Sequence, residues 1–190
     1  MKQIFSFFIL FIFSINLFGQ KNNPQLKPPP PPNKQEEKNH NCVHKNKFSF
    51  SSRVKKYPFN ETSQVQFVSF TDMRLPELID TIVYSKFTEV KILTLKQIDA
   101  LTDILYNVGY SGPIAIEEDD NYYMPKNAIL FLDARGKIFA FIELDLDSQA
   151  QGYKLSSTSF SIGDLCIQKI SLLKKLFKEA GVTYGTAELN

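Results

Sequence analysis

The chain has 190 residues, 43% of them hydrophobic, and 22 Lys or Arg against 20 Asp or Glu leave a formal charge of +2. An acidic stretch over residues 61–190 without a basic aromatic face argues against nucleic acid. The eight glycines form neither G-x-G-x-x-G nor G-x-x-x-x-G-K-[ST], so nucleotide binding through such loops is unsupported.

The N-terminus reads as an export leader. Lys2 gives a positive start, residues 4–18 are apolar apart from Ser6, Ser14 and Asn16, and Gly19 is the small residue beside a cut next to Gln20. Residues 1–20 are therefore expected to be a signal peptide, and the protein to be exported to the periplasm or the exterior. The apolar run is shorter than the roughly 20 residues of a spanning helix. Membrane attachment is expected only through the leader, if it stays uncleaved.

Charge then divides along the chain. Residues 21–60 hold nine Lys or Arg and two Glu, a net +7, and residues 61–190 hold twelve against eighteen, a net −6. Residues 21–46 are expected to be a disordered basic linker, because Gln, Asn, Lys and Glu cannot bury enough apolar area to fold. Within it the run Pro28 to Pro32 is expected to favour a polyproline rod of roughly 15 Å at about 3.1 Å per residue. In residues 47–60, Phe48, Phe50 and Val54 alternate with Lys47, Ser49, Arg53 and Lys55, which fits either a loose basic arm or a first strand.

Residues 61–190 suffice for a single domain with one core. Val65, Phe67, Val68 and Phe70 predict a strand over 64–70, and Val90, Ile92 and Leu93 a short one. Thr94 with Gln97 forms a capping box. Leu95, Ile98, Leu101, Ile104, Leu105 and Val108 continue at helical spacing, so the pattern predicts a helix over 95–108 with a left-handed stop at Asn107 or Gly109. Residues 128–133 and 137–146 read as a hairpin across Ala134-Arg135-Gly136. Ile138, Ala140, Ile142, Leu144 and Leu146 should share a face of its second strand. A third strand is expected over 153–160. A last helix is expected over 162–180, with Cys166, Ile170, Leu173, Phe177 and Ala180 as its buried stripe and Lys169, Lys174, Lys175 and Lys178 on its polar face. The order predicts an α+β fold, an antiparallel sheet with two main helices on one face.

The chemistry on offer is narrow. Both histidines, His40 and His44, fall in the arm, so residues 61–190 contain no imidazole for a Ser-His-Asp or Cys-His centre or a His-rich zinc site. Glu143, Asp145 and Asp147 recur on alternate positions, which points them the same way about 6.5–7 Å apart. With Glu117, Glu118, Asp119 and Asp120 nearby they would form a cluster. Such a cluster is a solvated acidic end, a site for a hard cation such as Ca²⁺, or a glycosidase pair with Glu143 and Asp145 as catalytic candidates. In the arm His40, Cys42 and His44 are donors suited to Cu or Zn, although a polar tail reaches such a spacing by chance. Cys166 on an apolar stripe reads as a free buried thiol. Export also permits a disulfide between Cys42 and Cys166, or between Cys42 of two chains. Tyr106, Tyr110, Tyr122 and Tyr123 serve packing or the recognition of a sugar or peptide.

Leu105 and Asn107-Val108-Gly109-Tyr110, followed by the run from Tyr123-Met124-Pro125-Lys126-Asn127 to Phe131 and by Gly136-Lys137, resemble a group of small exported bacterial proteins of unknown function. The resemblance covers residues 64–186 and implies one exported domain and no activity. Members of the group carry cysteines where this chain has Tyr122, Asp145 and Asp147, so no thiol role transfers.

These readings lead to an expected function: an exported, non-enzymatic interaction domain of the bacterial envelope on a Pro-rich tether. It would bind a protein or an envelope polymer and no nucleic acid, and it would use no cofactor. The alternatives are a carboxylate glycan hydrolase and a metal-binding protein that uses the His40-Cys42-His44 arm.

Overall fold

Apolar alternation in three stretches builds the centre of the molecule, which a computed structural model describes over residues 33–75, 77–78, 81–114, 123–147 and 152–187. In chain order the elements are α1 (Lys34–Asn39), β1 (Cys42–His44), α2 (Phe50–Arg53), β2 (Gln64–Phe70), β3 (Glu77–Leu78), β4 (Thr81–Ile82), a 3₁₀ turn (Tyr84–Lys86), β5 (Phe87–Ile92), α3 (Leu95–Asn107), β6 (Val108–Tyr110), β7 (Asn127–Leu132), β8 (Ile138–Asp145), β9 (Gly152–Leu155) and α4 (Ile167–Ala180). The five-stranded sheet has the order β5-β2-β7-β8-β9, and every pairing in it is antiparallel. Two smaller ladders join β1 to β6 and β3 to β4. The signal peptide (1–20), the linker as far as Pro32 and the loop residues Glu117, Glu118, Asp119, Asp120 and Tyr122 lie outside the described residues.

Both long helices cover one face of the sheet, so the chain is α+β as its element order predicts. Phe67, Ile129, Phe131, Ile142 and Leu144 from the strands pack with Leu101 and Leu105 of α3 and with Ile170, Leu173 and Phe177 of α4. Phe67 stacks on Phe177, their ring centroids 3.8 Å apart. Each such side chain, fully buried, contributes about 1.5–3 kcal/mol. The opposite face has its own apolar layer of Val68, Phe70, Leu75, Ala128, Leu130 and Leu132.

Local chemistry sets the element ends. Thr94 and Gln97 form the complete capping box of α3, and α4 ends at Gly181 in the left-handed region. In the β7–β8 hairpin the Asp133 carboxylate accepts the backbone N–H of Arg135 at 2.8 Å and of Lys137 at 2.9 Å. These bonds, that of Lys137 foremost, hold its carboxyl below the ordinary range.

The structure departs from the sequence pattern in several places. α3 has no left-handed stop; its last residue runs directly into β6. Asn107 instead faces the backbone of Phe48, accepting its N–H and donating to its carbonyl, both at 3.0 Å. A register shift at Phe131/Leu132 places Leu132 opposite Ile138 and Phe131 opposite Ala140. This irregularity inverts the strand's start, so that Ile138 packs with the second layer and Phe139 with the first. β9 is confined to Gly152–Leu155, and α4 begins at Ile167, five residues later than its pattern suggests. Lys169 and Lys174, expected on the polar face of α4, are buried.

The largest correction concerns residues 33–60. The part of the expected linker from 33 to 46 forms α1 and β1, and residues 47–60 are neither a strand nor a loose arm. Together they make a strap over the domain and belong to its compact unit. Asn39 donates to the carbonyl of Pro113 at 2.9 Å, and Asn46 donates to that of Tyr106 at 2.9 Å. Phe59 enters the core against Phe131. Arg53, 6% exposed, pairs with Asp99 and Asp103 and donates to Thr102.

Candidate functional site

The acidic alternation Glu143, Asp145, Asp147 runs along the end of β8. Glu143 and Asp145 are only 2% and 1% exposed, so they are not a solvated strand end. Each holds part of a loop. Glu143 accepts the backbone N–H of Leu75 at 2.5 Å, Asp145 accepts that of Met124 at 2.8 Å, and Asp147 pairs with Lys126 at 2.7 Å. Tyr123 hydrogen-bonds Glu143. Its desolvation, then the charges of Glu143 and Asp145 and that hydrogen bond, push the phenol well above its ordinary range. The Tyr123 ring lies against Gly152, where a Cβ would come within 2.9 Å of it.

Residues 123–126 are thus laced along β8 by the carboxylates at 143, 145 and 147. Cavities of about 590 and about 230 Å³ among the described residues are lined by other side chains. Among the described residues no three His, Cys, Asp or Glu are grouped to hold a metal ion. Glu117, Glu118, Asp119 and Asp120 lie outside those residues.

The His40-Cys42-His44 set takes another form. Cys42 is bonded to Cys166, with Cα atoms 5.7 Å apart, so neither thiol is free and Cys42 has no thiolate to offer a metal. His40 packs edge-on against Tyr110, and His44 lies 3.9 Å from Asp103. Both imidazoles therefore belong to the compact unit, contrary to the reading that leaves it without any. His44 and Asp103 line the smaller cavity with Lys175 and Glu179; no Ser, Thr or Cys joins them to act as a nucleophile.

The larger cavity was not anticipated. It is a cleft between the strap (Lys45, Phe48, Lys56, Tyr57), the α3–β6 junction (Tyr106, Gly109) and the loop before α4 (Ser159, Phe160, Ser161, Asp164). Three connections fix these walls. The Cys42–Cys166 bond joins the strap to the start of α4. Asp164 pairs with Lys45 at 3.3 Å and accepts the N–H of Tyr110 at 3.2 Å. Gly109 permits this approach, since a Cβ there would meet Asp164 Oδ2 at 3.0 Å. Behind the wall the fully buried Lys169 donates to the carbonyls of Leu105, Ile162 and Asp164 at 2.8, 2.6 and 3.0 Å. Desolvation lowers its pKa to about 8, against the opposing pull of Asp164.

The cleft is aromatic as well as charged. Lys56 Nζ sits 4.4 Å from the Phe48 ring centroid and 4.8 Å from that of Tyr106. Burial pushes the Tyr106 phenol up to about 12. In the sequence the signals for this site are the interleaving of aromatic and basic residues from Phe48 to Tyr57 and the candidacy of Tyr106 for sugar or peptide recognition. Its other wall, more than a hundred residues away, carries none.

Comparison of the chain with protein-family models, curated proteins and solved structures gives no match. No helix among the described residues is long and apolar enough to cross a membrane.

Proposed function

We propose that the protein is an exported, non-enzymatic binding domain of the bacterial envelope, carried on its Pro-rich segment, with an anionic envelope polymer as partner. The observation that carries the reading is the Cys42–Cys166 bond in a chain that opens with a leader pattern, since such bonds persist in oxidising compartments outside the cytosol. Two further features support it. The buried carboxylates of β8 are spent on holding loops. The strap displays Lys45, Lys47 and Lys55 at the surface, where they attract a polyanion at low ionic strength.

The test has two parts. N-terminal sequencing of protein recovered from outside the cytosol should find a start beside Gln20; native material in the cytosol that retains Met1 removes the export reading. Co-sedimentation of the mature chain with anionic envelope polysaccharide should fall steeply between low and high salt. It should also fall when Lys45, Lys47 and Lys55 are changed together to Gln. Binding indifferent to both counts against the polymer, and salt-insensitive capture of an envelope protein would replace it.

A further inference from the structure

We infer that the larger cleft is a binding site for a carboxylate-bearing sugar ring. The inference rests on the envelope-polymer reading and names the unit of polymer that is held. The cleft's volume of about 590 Å³ falls within the range of pockets for small ligands, about 300–1,000 Å³, and accepts one or two sugar rings.

Its lining sorts by chemistry into three parts. Phe48, exposed, together with the accessible parts of half-buried Tyr57 and buried Tyr106 and Phe160, gives apolar surface for the C–H groups of a pyranose. Lys56 gives the charge. Its ammonium is held over two rings, and among the described residues no carboxylate lies within salt-bridge distance of it. Asp164 and Ser161 give acceptors and donors for hydroxyl groups. The bonds Asp164 makes to Lys45 and Tyr110 use Oδ2 alone, and a carboxylate offers about four acceptor sites over its two oxygens. Ser161 Oγ accepts the N–H of Gly163 at 3.1 Å, which leaves its own hydrogen to donate.

Each alternative small ligand wastes part of this set. A neutral sugar leaves Lys56 without a counter-charge. A phosphate ester sets a double charge against Asp164. An apolar molecule strands Asp164 and Ser161. An acidic sugar uses all three parts at once.

The walls are also fixed before any ligand arrives. Cys42 and Cys166 lie three residues before Lys45 and two after Asp164, so the disulfide ties the two sides of the cleft. The three carbonyl bonds of Lys169 tie α3 to the loop at 162–164. Preorganisation of this kind lowers the ordering cost of binding.

The experiment is an NMR titration of the oxidised, ¹⁵N-labelled mature chain with trigalacturonate and, separately, with neutral maltotriose. Trigalacturonate should shift the amides of Lys56, Gly109 and Gly163 and bind at least about tenfold more tightly than maltotriose. Lys56→Gln should weaken it about tenfold with an unchanged melting temperature. Ser161→Trp, at an exposed position, should fill the cleft and abolish the shifts. Equal binding of the two sugars, shifts confined to other surfaces, or no shift at millimolar trigalacturonate overturns the assignment. If Ser161→Trp still sediments with the anionic polymer in a salt-dependent way, the envelope reading stands and the cleft assignment falls. A chain that binds no envelope polymer at all removes both.

Discussion

Lys169 brings an ammonium group into a fully buried place, and its three carbonyl partners come from positions 105, 162 and 164. Replacing it by Met leaves those acceptors without their donor, at about 1–3 kcal/mol each if they stay unpaired. Lys169→Met should therefore cost several kcal/mol in urea unfolding, whereas Lys175→Met at the exposed face should change stability by less than about 0.5 kcal/mol. The proton linkage has a definite sign. Burial lowers the folded pKa of Lys169 to about 8 from 10.5, so between those values the unfolded chain holds more protons, and the group's contribution to stability rises with pH. Above pH 10 Tyr106, whose phenol is raised to about 12, acts in the opposite direction. The stability difference between wild type and Lys169→Met should widen from pH 8 to pH 10; a difference that stays flat across that window would show that the folded amine keeps its proton and that burial does not lower its pKa. Glu143→Ala should cost about 2–3 kcal/mol by stranding the N–H of Leu75, read as a lower denaturation midpoint. None of these roles was legible in the sequence. Lys169 falls on the polar arc of a helical wheel, and Glu143 opens what looks like a wet strand end, because the groups that satisfy them are far away along the chain.

Among the elements, those built from local signals were read well. The Gln64–Phe70 strand matches residue for residue, and α3 starts where Thr94 and Gln97 place it. Thr94→Ala should remove about 1 kcal/mol, measured as a small fall in melting temperature with no change of fold. Where signals conflict, the longer-range partner wins. Asn107 and Gly109 look like a helix stop, yet Asn107 is needed by the backbone of Phe48 and Gly109 by the carboxylate of Asp164. The start of β8 is misread for a related reason. Alternation assumes an unbroken register, and the irregularity at Phe131/Leu132 belongs to the pairing of two strands, which a single strand's pattern does not contain.

At the scale of the molecule, the sequence divides into a basic arm and an acidic body, and the structure joins the described part of that arm to the body. Composition argued against order in residues 33–46, correctly in the sense that they bury little apolar surface of their own. They are held by one covalent bond and by backbone pairing with β6. The strap should therefore depend on redox state more than the sheet does. Reducing the Cys42–Cys166 bond, which spans 124 residues, should lower stability by about 3–5 kcal/mol. Limited proteolysis after reduction should cut first within residues 33–48, while amides of β2, β7 and β8 stay protected from hydrogen exchange; simultaneous loss of both would mean that strap and sheet unfold as one unit.

The same bond closes a covalent ring that contains α2, α3 and every strand of the central sheet, leaving α1 and α4 as its tails. A single hydrolysed peptide bond inside that ring opens the loop but sheds no fragment. In a compartment rich in peptidases, a molecule nicked once would keep its mass on a non-reducing gel and separate into two pieces only when thiol is added.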